Sequence, residues 1–414
     1  MNILVMNGGS SSQKSTLYDV KDPSSVQPPL PLWEGSADWA EHPGQADLKI
    51  TTAAGEKVEK RLSTDSRHEV IAGLLETLWS GPTRVIDSPA DIAIVGNRVV
   101  HGGAEYRESV VITPEVKATI RRIADFAPLH NPVNLEGIES VQHILPHVKQ
   151  VAVFDTAFHR DLPLANAVYP GPYAWLEQGI RRYGFHGISY QYCSQRTAQL
   201  LGREPESLRM VICHLGNGCS LAAIREGHSI DTTMGFTPLE GLMMGSRSGS
   251  VDPGILIYLS RQHGDSPDRL ESMLNKESGL KGISGVSSDM RDVLQARDEG
   301  NERAKLAVDI YVHRLHGLIG AMIASLGGLD VLVFTGGVGE HSAEIRASTC
   351  AAFGFLNLNI DAEKNQRSPV DQDIATHNSA VRVMVVHTEE NWVIAQECWK
   401  FAFYKSEEGY SHGG

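Results

Sequence analysis

The N-terminal segment places a turn rich in glycine and serine between two short apolar runs. Residues 3–6 are apolar, the turn reads NGGSSSQK, and a second strand pattern covers residues 15–20. Glycines let backbone N–H groups approach an anion, hydroxyls add donors, and Lys14 supplies positive charge. The pattern predicts a β-hairpin that binds phosphate, and the alternative is a flexible Gly/Ser segment without a ligand. It is not a P-loop, because the spacing GxxxxGK[ST] is absent.

A second turn of this kind lies near the middle of the chain. Residues 210–224 read MVICHLGNGCSLAAI, which is again a strand, a turn with Asn and Gly, and a strand. Fifteen residues make a weak repeat, but a phosphate chain held from both sides needs two such turns. We therefore expect two related domains that face each other across a cleft.

The arrangement of apolar runs predicts the α/β class, because β-branched runs before glycine-rich turns alternate with helical patterns. The runs cover residues 92–95, 99–100, 151–154, 331–334 and 381–386, and the helical patterns cover 67–79, 190–201, 253–262 and 302–326. Segment 22–44 contains five prolines and is predicted to be irregular surface loop. The last residues, 405–414, have the composition of a disordered tail.

Composition limits the class of partner and the compartment. The 414 residues carry a net charge of −13 without a Lys/Arg-rich block, which argues against a nucleic-acid partner but allows a local cationic pocket. Five cysteines without CxxC spacing predict reduced thiols in a cytoplasmic protein. We expect no cleaved signal and no apolar run of membrane-spanning length.

Eight turns carry unusual residues in a fixed order. They read RVVHGG from Arg98, PLHNP from Pro128, FDTAF from Phe154, RYGFHG from Arg182, HLGNG from His214, MGSRSG from Met244, SSDMR from Ser287 and TGGVGE from Thr335. The ordered set resembles the acetokinase family, of the acetate and sugar kinase, Hsp70 and actin superfamily, from Asn2 to about Glu397. Four residues depart from the usual pattern: Asn97 and Tyr190 stand where His is common, Ile188 where Thr is common, and His341 where Asn is usual.

The resemblance implies an α/β fold of two duplicated ribonuclease-H-like (actin-like ATPase) domains flanking a catalytic cleft. The first domain is expected at 1–155 with a returning helix at about 390–405, and a nucleotide-binding domain is expected at 156–389. Residues 406–414 are expected to be a flexible tail. The implied reaction is reversible, Mg²⁺-dependent phosphoryl transfer between ATP and acetate, giving acetyl phosphate and ADP, in a homodimer.

Transfer of a phosphoryl group to a carboxylate brings two anions together, so cationic side chains must offset their repulsion. Arg98 and Arg247 stand close to glycines in turns, and a guanidinium binds carboxylate or phosphate oxygens through a planar fork. The resemblance assigns Arg98 to the acetate carboxylate and Arg247 to the transferring phosphoryl group. It assigns the acyl pocket to Val100, Leu129, Phe185 and Pro238.

Other polar residues of the turns have more specific predicted roles. His186 is expected to donate a hydrogen bond to a phosphoryl oxygen in the transition state. Asp155 ends an apolar strand, where α/β sheets present catalytic groups, and is predicted to orient the magnesium shell and Arg247 without acting as a necessary base. Asn7 and Glu390 are the candidate ligands of Mg²⁺, with Mn²⁺ as the alternative ion. Histidine spacing indicates no zinc-type cluster.

The resemblance places the nucleotide on four segments. Gly337 and Gly339 are the informative positions, because a planar base or ribose that lies on backbone needs residues without Cβ. The predicted contacts are Ser10, Ser12, Lys14, His214, Leu215, Gly216, Asn217, Gly218, Asp289, Met290, Arg291, Gly337, Val338, Gly339, Glu340 and His341.

Two alternative functions stay open at the level of sequence. A propionate or butyrate kinase would differ only in the acyl pocket, where one methylene is worth about 1–3 kcal/mol of discrimination. A nucleotide clamp like actin or Hsp70 would bind ATP without transferring the phosphoryl group to a carboxylate. Such a clamp has no use for a carboxylate-binding Arg98.

Overall fold

The structure, a computed structural model, describes residues 1–9, 12–39, 44–64, 66–127, 130–367 and 369–402. These residues form two compact units. The first contains Met1–Ala157 and the described residues from Glu389 onward, and the second contains Phe158–Thr388. The predicted domain boundaries lie after residues 155 and 389, and the predicted tail lies outside the described residues.

The first unit is built on an eight-stranded sheet with the order β5-β4-β3-β2-β1-β6-β8-β7. Strands β1, β6 and β8 are parallel, and the remaining neighbours are antiparallel. The strands are β1 (Asn2–Gly8), β2 (Ser12–Asp19), β3 (Trp33–Asp38), β4 (Ala46–Thr52), β5 (Lys57–Leu62), β6 (Ile94–Val99), β7 (Val110–Val111) and β8 (Lys149–Phe154). The helices before residue 157 are α1 (Arg67–Glu76), α2 (Pro114–Arg122) and α3 (Asn131–Ile144).

The second unit has a six-stranded sheet with the order β11-β10-β9-β12-β14-β13. Its strands are β9 (Arg209–Leu215), β10 (Cys219–Arg225), β11 (His228–Thr232), β12 (Val331–Thr335), β13 (Gln372–Asp373) and β14 (Arg382–Val385). Its helices are α4 (Leu164–Ala167), α5 (Ala174–Glu177), α6 (Gly187–Leu201), α7 (Pro253–His263), α8 (Pro267–Lys276), α9 (Gly279–Ser284), α10 (Met290–Asp298), α11 (Glu302–Leu326), α12 (Gly336–His341), α13 (Ala343–Ala351) and α14 (Ala362–Gln366).

The helix α15 (Glu390–Ala402) belongs to the first unit. Short 3₁₀ turns complete the described chain at Pro89–Asp91, Ile123–Phe126, Ala157–His159, Pro205–Ser207 and Gly354–Leu356.

The two sheets share one topology, which confirms the predicted duplicated fold. The order β3-β2-β1-β6-β8 in the first unit corresponds to β11-β10-β9-β12-β14 in the second. In each sheet three strands form an antiparallel meander. Two further strands then run parallel to the strand that begins the meander in the sequence, which is β1 in the first unit and β9 in the second. The hairpins β1–β2 and β9–β10, whose sequence patterns are similar, therefore occupy equivalent positions in the two sheets.

One strand joins two apolar runs that the sequence separates. Residues 92–95 and 99–100 flank Gly96 and Asn97, yet β6 continues through both positions. Helix α15 packs so closely here that a Cβ on Gly96 would lie 2.4 Å from Sγ of Cys398 and 2.5 Å from Cγ2 of Ile394. Gly96 is therefore a packing residue in a strand and not a turn residue.

The prediction that segment 22–44 is wholly irregular was wrong. Strand β3 lies inside it, and none of the five prolines falls within the strand. Trp33, Gly35 and Ala37 alternate with more exposed residues, which is the period of a strand with one face on the core. Trp33 is fully buried, and its Nε1 donates to Oγ1 of Thr77 at 3.1 Å.

Helix α11 has the bounds of the helical pattern predicted at 302–326. By length and composition alone it could cross a membrane. Its buried residues, among them Leu315 and Ile319, lie on one side, and the helix packs against β9, β10 and β11. The same length and composition are typical of the core helix of an α/β unit.

Candidate functional site

The first unit gathers three predicted residues at one edge of its sheet. Asn7 is near the end of β1, Arg98 is near the end of β6, and Asp155 directly follows β8. These strands are parallel neighbours, so their carboxyl ends meet at the same edge. Such an edge is where α/β sheets bind ligands.

Arg98 and Asp155 form a buried ion pair at this edge. Nε of Arg98 lies 3.2 Å from Oδ1 and 3.1 Å from Oδ2 of Asp155, and Nη2 also contacts Oδ2. Burial of the guanidinium disfavours its charge, but the attraction of Asp155 and Glu390 outweighs this and raises the pKa of Arg98. Nη1 of Arg98 has no hydrogen-bond partner among the described residues, and it is the part of the fork left for an anion.

Asn7 contacts the first turn of α15. Its Nδ2 lies 3.3 Å from Oε2 of Glu390 and 3.0 Å from Oδ1 of Asn391. Carboxylate and amide oxygens are the hard ligands that Mg²⁺ takes, with water completing its octahedron. In the described parts of the chain, no group of three or more His, Cys, Asp or Glu residues could hold a metal ion.

The β1–β2 hairpin adds the lysine of the first turn. Lys14 is exposed on β2 opposite Asn7, and the N–H of Gly9 donates to the carbonyl of Ser12 at 2.8 Å. Val100 is buried just after β6, and its N–H donates to Oδ1 of Asn134 at 3.1 Å. The predicted contacts Ser10 and Leu129 lie outside the described residues.

In the second unit, three motif turns converge on one point. A Cβ on Gly218 would lie 3.6 Å from Nε2 of His186 and 3.8 Å from Nη1 of Arg247. The N–H of Gly245, in the turn of Arg247, donates to the carbonyl of Asn217 at 3.1 Å. The structure therefore brings together the turns HLGNG, RYGFHG and MGSRSG.

Arg247 is a half-buried cation with no acidic partner in the part of the chain that the structure describes. Its Nη1 donates to the carbonyl of Pro238 at 3.1 Å. Burial lowers the pKa of Arg247 from its ordinary value, although an arginine stays charged at neutral pH. A buried charge without a counter-charge is costly, and a bound anion removes that cost.

His186 has a backbone conformation that is rare for a residue with a side chain. Its φ is 58°, in the left-handed region, and it immediately precedes helix α6. Its Nδ1 lies 2.8 Å from Oγ of Ser220, and its ring stacks on that of His214, with centroids 4.2 Å apart. Nδ1 of His214 lies 2.9 Å from Oγ of Ser189. Strain of this kind at a non-glycine residue is often associated with function.

The other nucleotide-type turn is the short helix α12, directly after β12. Gly336 has a φ of 76°, and a Cβ there would lie 2.9 Å from the carbonyl oxygen of Leu215. Only glycine allows the turn after β12 to lie against the turn after β9. Oε1 of Glu340 accepts from the N–H of Gly336 at 2.9 Å, and its Oε2 lies 2.6 Å from Nδ1 of His387.

The two informative glycines of α12 differ in their surroundings. Gly337 is exposed, and a Cβ there meets no described atom within 4 Å. Gly339 is buried, and a Cβ there would point at the backbone of Phe334 at 3.5 Å. Val338 is half-buried and His341 is exposed. Of these two glycines, Gly337 is the one with open space beside it among the described residues.

Asp289, Met290 and Arg291 form the start of α10. Oδ1 of Asp289 accepts from the N–H of Arg291 at 2.8 Å, which is an N-cap contact, and its carboxylate also pairs with the Arg291 guanidinium. Met290 is buried, whereas the Arg291 side chain is 87% exposed. These contacts are local and do not tie the three residues to the convergent turns.

His159, the residue that follows the motif FDTAF, was not among the predicted site residues. It is fully buried, its Nε2 lies 3.0 Å from the carbonyl oxygen of Phe185, and its Nδ1 lies 2.7 Å from Oγ of Ser229. Burial lowers the pKa of His159 to about 4. A carbonyl only accepts, so Nε2 carries the proton, and the ring fixes the backbone beside His186.

Comparison with known proteins gives one consistent result. An acetate kinase from Cyanothece sp. is 62% identical over 400 residues, which cover 97% of this chain and 98% of that protein. The crystal structure of Porphyromonas gingivalis acetate kinase has a TM-score of 0.87 and 40% identity, over 96% of this chain and 99% of that chain. A propionate kinase structure from Francisella tularensis gives a TM-score of 0.87 and 39% identity with the same coverage. The model of the acetokinase family matches residues 2–396, and with these relatives over nearly its whole length the chain belongs to the acetokinase family.

Proposed function

We propose that the protein transfers the γ-phosphoryl group of ATP to the carboxylate of acetate, reversibly, giving acetyl phosphate and ADP. The observation that carries this is a pair of arginines with unused donors, one in each unit. Nη1 of Arg98 and most of the Arg247 guanidinium have no partner among the described residues. The reaction has two anions to hold, a carboxylate and a phosphoryl group, and a planar guanidinium suits both.

In this proposal Arg98 binds the acetate carboxylate and Arg247 binds the phosphoryl group, as the resemblance implies. Asp155 is proposed to orient the magnesium shell and Arg247, and its contact with Arg98 supports a further role in holding that guanidinium in place. His186 donates a hydrogen bond to an oxygen of the transferring group, where charge grows in the transition state. Val100, Leu129, Phe185 and Pro238 form the proposed acyl pocket.

The nucleotide is proposed to bind along the turns that follow β9 and β12. Close contact between Gly336 and Leu215 supports a continuous backbone surface formed by these two turns. Exposed backbone at Gly337 leaves room for the sugar or base. Proposed contacts are His214, Leu215, Gly216, Asn217, Gly218, Gly337, Val338, Gly339, Glu340 and His341, with Asp289, Met290 and Arg291 nearer the base and Ser10, Ser12 and Lys14 at the phosphates.

Mg²⁺ is the proposed metal, with Mn²⁺ as the alternative. Asn7 and Glu390 would hold it, and when bound it neutralises charge on the phosphates. The carboxylate and amide oxygens of these two residues are hard ligands, which supports this assignment.

We also propose a homodimer in the cytoplasm. Helix α7 contributes no buried residue to its unit, and it exposes Ile255, Ile257 and Tyr258 by 47%, 53% and 59%. Adjacent exposed apolar side chains of this size are typical of a surface that another copy covers. All five cysteines are buried free thiols, which supports a reducing compartment.

The test is an acyl-phosphate trap. Purified protein with ATP, MgCl₂ and hydroxylamine is supplied with acetate, propionate or butyrate, and the hydroxamate is measured. We expect acetohydroxamate to form with the highest kcat/KM of the three. Higher kcat/KM with propionate would make the protein a propionate kinase, and ATP hydrolysis without any hydroxamate would favour the nucleotide clamp.

A further inference from the structure

Tyr190, Ser220 and His186 form a series of hydrogen bonds that ends on the His186 ring. Tyr190 is four residues after His186, the residue that caps the start of α6, and its N–H donates to the His186 carbonyl at 3.0 Å. Oγ of Ser220, on β10, contacts both Nδ1 of His186, at 2.8 Å, and the hydroxyl of Tyr190. Ser220 and Tyr190 are fully buried.

The donor and the acceptor of each of these hydrogen bonds follow from the acceptors that are available to each proton. The Tyr190 hydroxyl has one hydrogen-bond partner among the described residues, which is Ser220. If Ser220 donated to Tyr190, the tyrosine proton would be buried without an acceptor, and that costs about 1–3 kcal/mol. Tyr190 therefore donates to Ser220.

The direction of the hydrogen bond between Ser220 and His186 follows in the same way. The Ser220 oxygen could accept from both neighbours, but its own buried proton would then have no acceptor, so Ser220 donates to Nδ1 of His186. Nδ1 is consequently an acceptor and carries no proton. Burial raises the pKa of Tyr190 well above its ordinary value, so the phenol keeps the proton that it donates.

We propose that Tyr190 and Ser220 are positioning residues that fix His186 as the tautomer with its proton on Nε2. Nε2 is the nitrogen near Gly218 and Arg247, where the phosphoryl group is proposed to bind. His186 therefore offers an N–H donor to that group in every turnover. The catalytic use of this donor rests on the proposed function, whereas the tautomer does not.

Tyr190 is one of the four departures from the usual pattern of the family, where a histidine is common. A neutral histidine at this position could donate to Ser220 or accept from it, depending on its own tautomer. A tyrosine hydroxyl has a single proton, and among the described residues Ser220 is its acceptor. Tyrosine at this position therefore fixes the direction of the hydrogen bond to Ser220, which a histidine would leave undetermined.

The direct test is NMR of the full-length enzyme labelled with ¹⁵N-histidine, without substrates, at pH 7.5. The His186→Gln variant identifies the His186 signals by their loss. We expect Nδ1 of His186 at the chemical shift of a bare acceptor nitrogen and Nε2 at that of a protonated nitrogen. A proton on Nδ1 would overturn the proposal, whatever the enzyme does with acetate.

Kinetics test the consequence. The double variant Ser220→Ala/Tyr190→Phe removes both hydroxyls and so leaves no buried hydroxyl without a partner. We expect kcat to fall about ten-fold or more with both KM values within about two-fold, because the donor acts mainly in the transition state. An unchanged kcat would overturn the proposal.

The matched control is Tyr311→Phe. Tyr311 is also buried and its hydroxyl contacts Sγ of Cys219, the neighbour of Ser220, but it is not part of the series of hydrogen bonds to His186. We expect its kcat to stay within about two-fold of the wild type. A ten-fold loss in this control would assign the effect to packing around β10 and overturn the positioning role. A wild type that makes no acetyl phosphate would contradict the proposed function and leave the NMR result to decide the tautomer.

Discussion

The carboxylate of Asp155 occupies one edge of the Arg98 guanidinium and leaves its Nη1 to another ligand. Both side chains are largely buried, with Arg98 16% and Asp155 2% exposed. Removing one partner of a buried pair leaves an uncompensated charge, which is strongly unfavourable. The pair therefore keeps a cation oriented at the sheet edge before acetate arrives.

Replacing Asp155 by Asn keeps the size of the side chain and removes its charge. We expect the acetate KM to rise about ten-fold and kcat to fall, because a charge-assisted bond worth about 1.5–3 kcal/mol is lost. The ATP KM should stay within about two-fold. Steady-state kinetics with each substrate varied in turn provide the measurement.

A matched control for that variant is Asp330→Asn. Asp330 pairs with Arg209 at the beginning of β9, which is the opposite end of the strand from the motif turn. We expect acetate kinetics to stay unchanged in this variant. Equal effects from the two substitutions would show that Asp155 acts only on general stability.

Arg247 should depend on the shape of its head group and not only on charge. In Arg247→Lys the ammonium keeps the charge but loses the planar fork, so we expect kcat to fall about 100-fold while the acetate KM changes little. Isothermal titration of the ATP analogue AMP-PNP separates binding from chemistry. Wild-type kcat in the lysine variant would limit the role of Arg247 to charge alone.

Gly337 and Gly339 give a steric test of the nucleotide site. Gly337→Gln adds a side chain in the open space beside α12, so we expect the ATP KM to rise about ten-fold or more with acetate KM unaffected. Gly339→Ala places a methyl group at ordinary contact distance from Phe334, and we expect nearly wild-type kinetics. A silent Gly337→Gln would mean that the nucleotide does not approach this turn.

His159 should make stability depend on pH. Its pKa is about 4 in the folded protein and about 6.5 in an unfolded chain, so the unfolded state takes up the proton first. The contribution to stability is fully present above about pH 6.5 and decreases as the pH falls towards 4, by about 3 kcal/mol in all.

The His159→Gln variant checks this sign. Glutamine retains an amide N–H for the Phe185 carbonyl but does not titrate. Urea unfolding at pH 7 and pH 5 should show a smaller loss of stability in the variant, by about 2 kcal/mol. The same loss in both proteins would contradict the buried, neutral state of His159.

Much of the fold could be predicted from periodicity and glycine placement. Helix α11 was predicted with its observed bounds, 302–326, because an apolar stripe runs through it between Asn301 and Gly327, the two cap residues. Strand β3 could not be found, because five nearby prolines outweigh a short alternation around Trp33. The sequence suggested a break in β6 at Gly96. The glycine is explained by its packing partners in α15, which are about 300 residues away in the sequence.

Candidate site residues that stand in sequence motifs could be identified from the sequence. Residues that only the fold brings together could not. Arg247, His186 and Gly218 stand in motif turns, and the structure places them in one cluster. Nothing local distinguishes Ser220 from any serine in a strand, since its role arises from contacts with His186 and Tyr190 that only the fold creates. The pairing of Asp155 with Arg98 likewise depends on the adjacency of β6 and β8.

The most direct measurement uses acetate labelled with ¹⁸O in both carboxylate oxygens. The enzyme is supplied with unlabelled ATP and MgCl₂, and the acetyl phosphate is examined by ³¹P NMR, which resolves phosphorus bonded to ¹⁸O. If the carboxylate attacks the γ-phosphoryl group, the phosphorus of acetyl phosphate carries one ¹⁸O in the bridging position. Release of inorganic phosphate without ¹⁸O and without acetyl phosphate would mean that water is the acceptor and would contradict the proposed kinase.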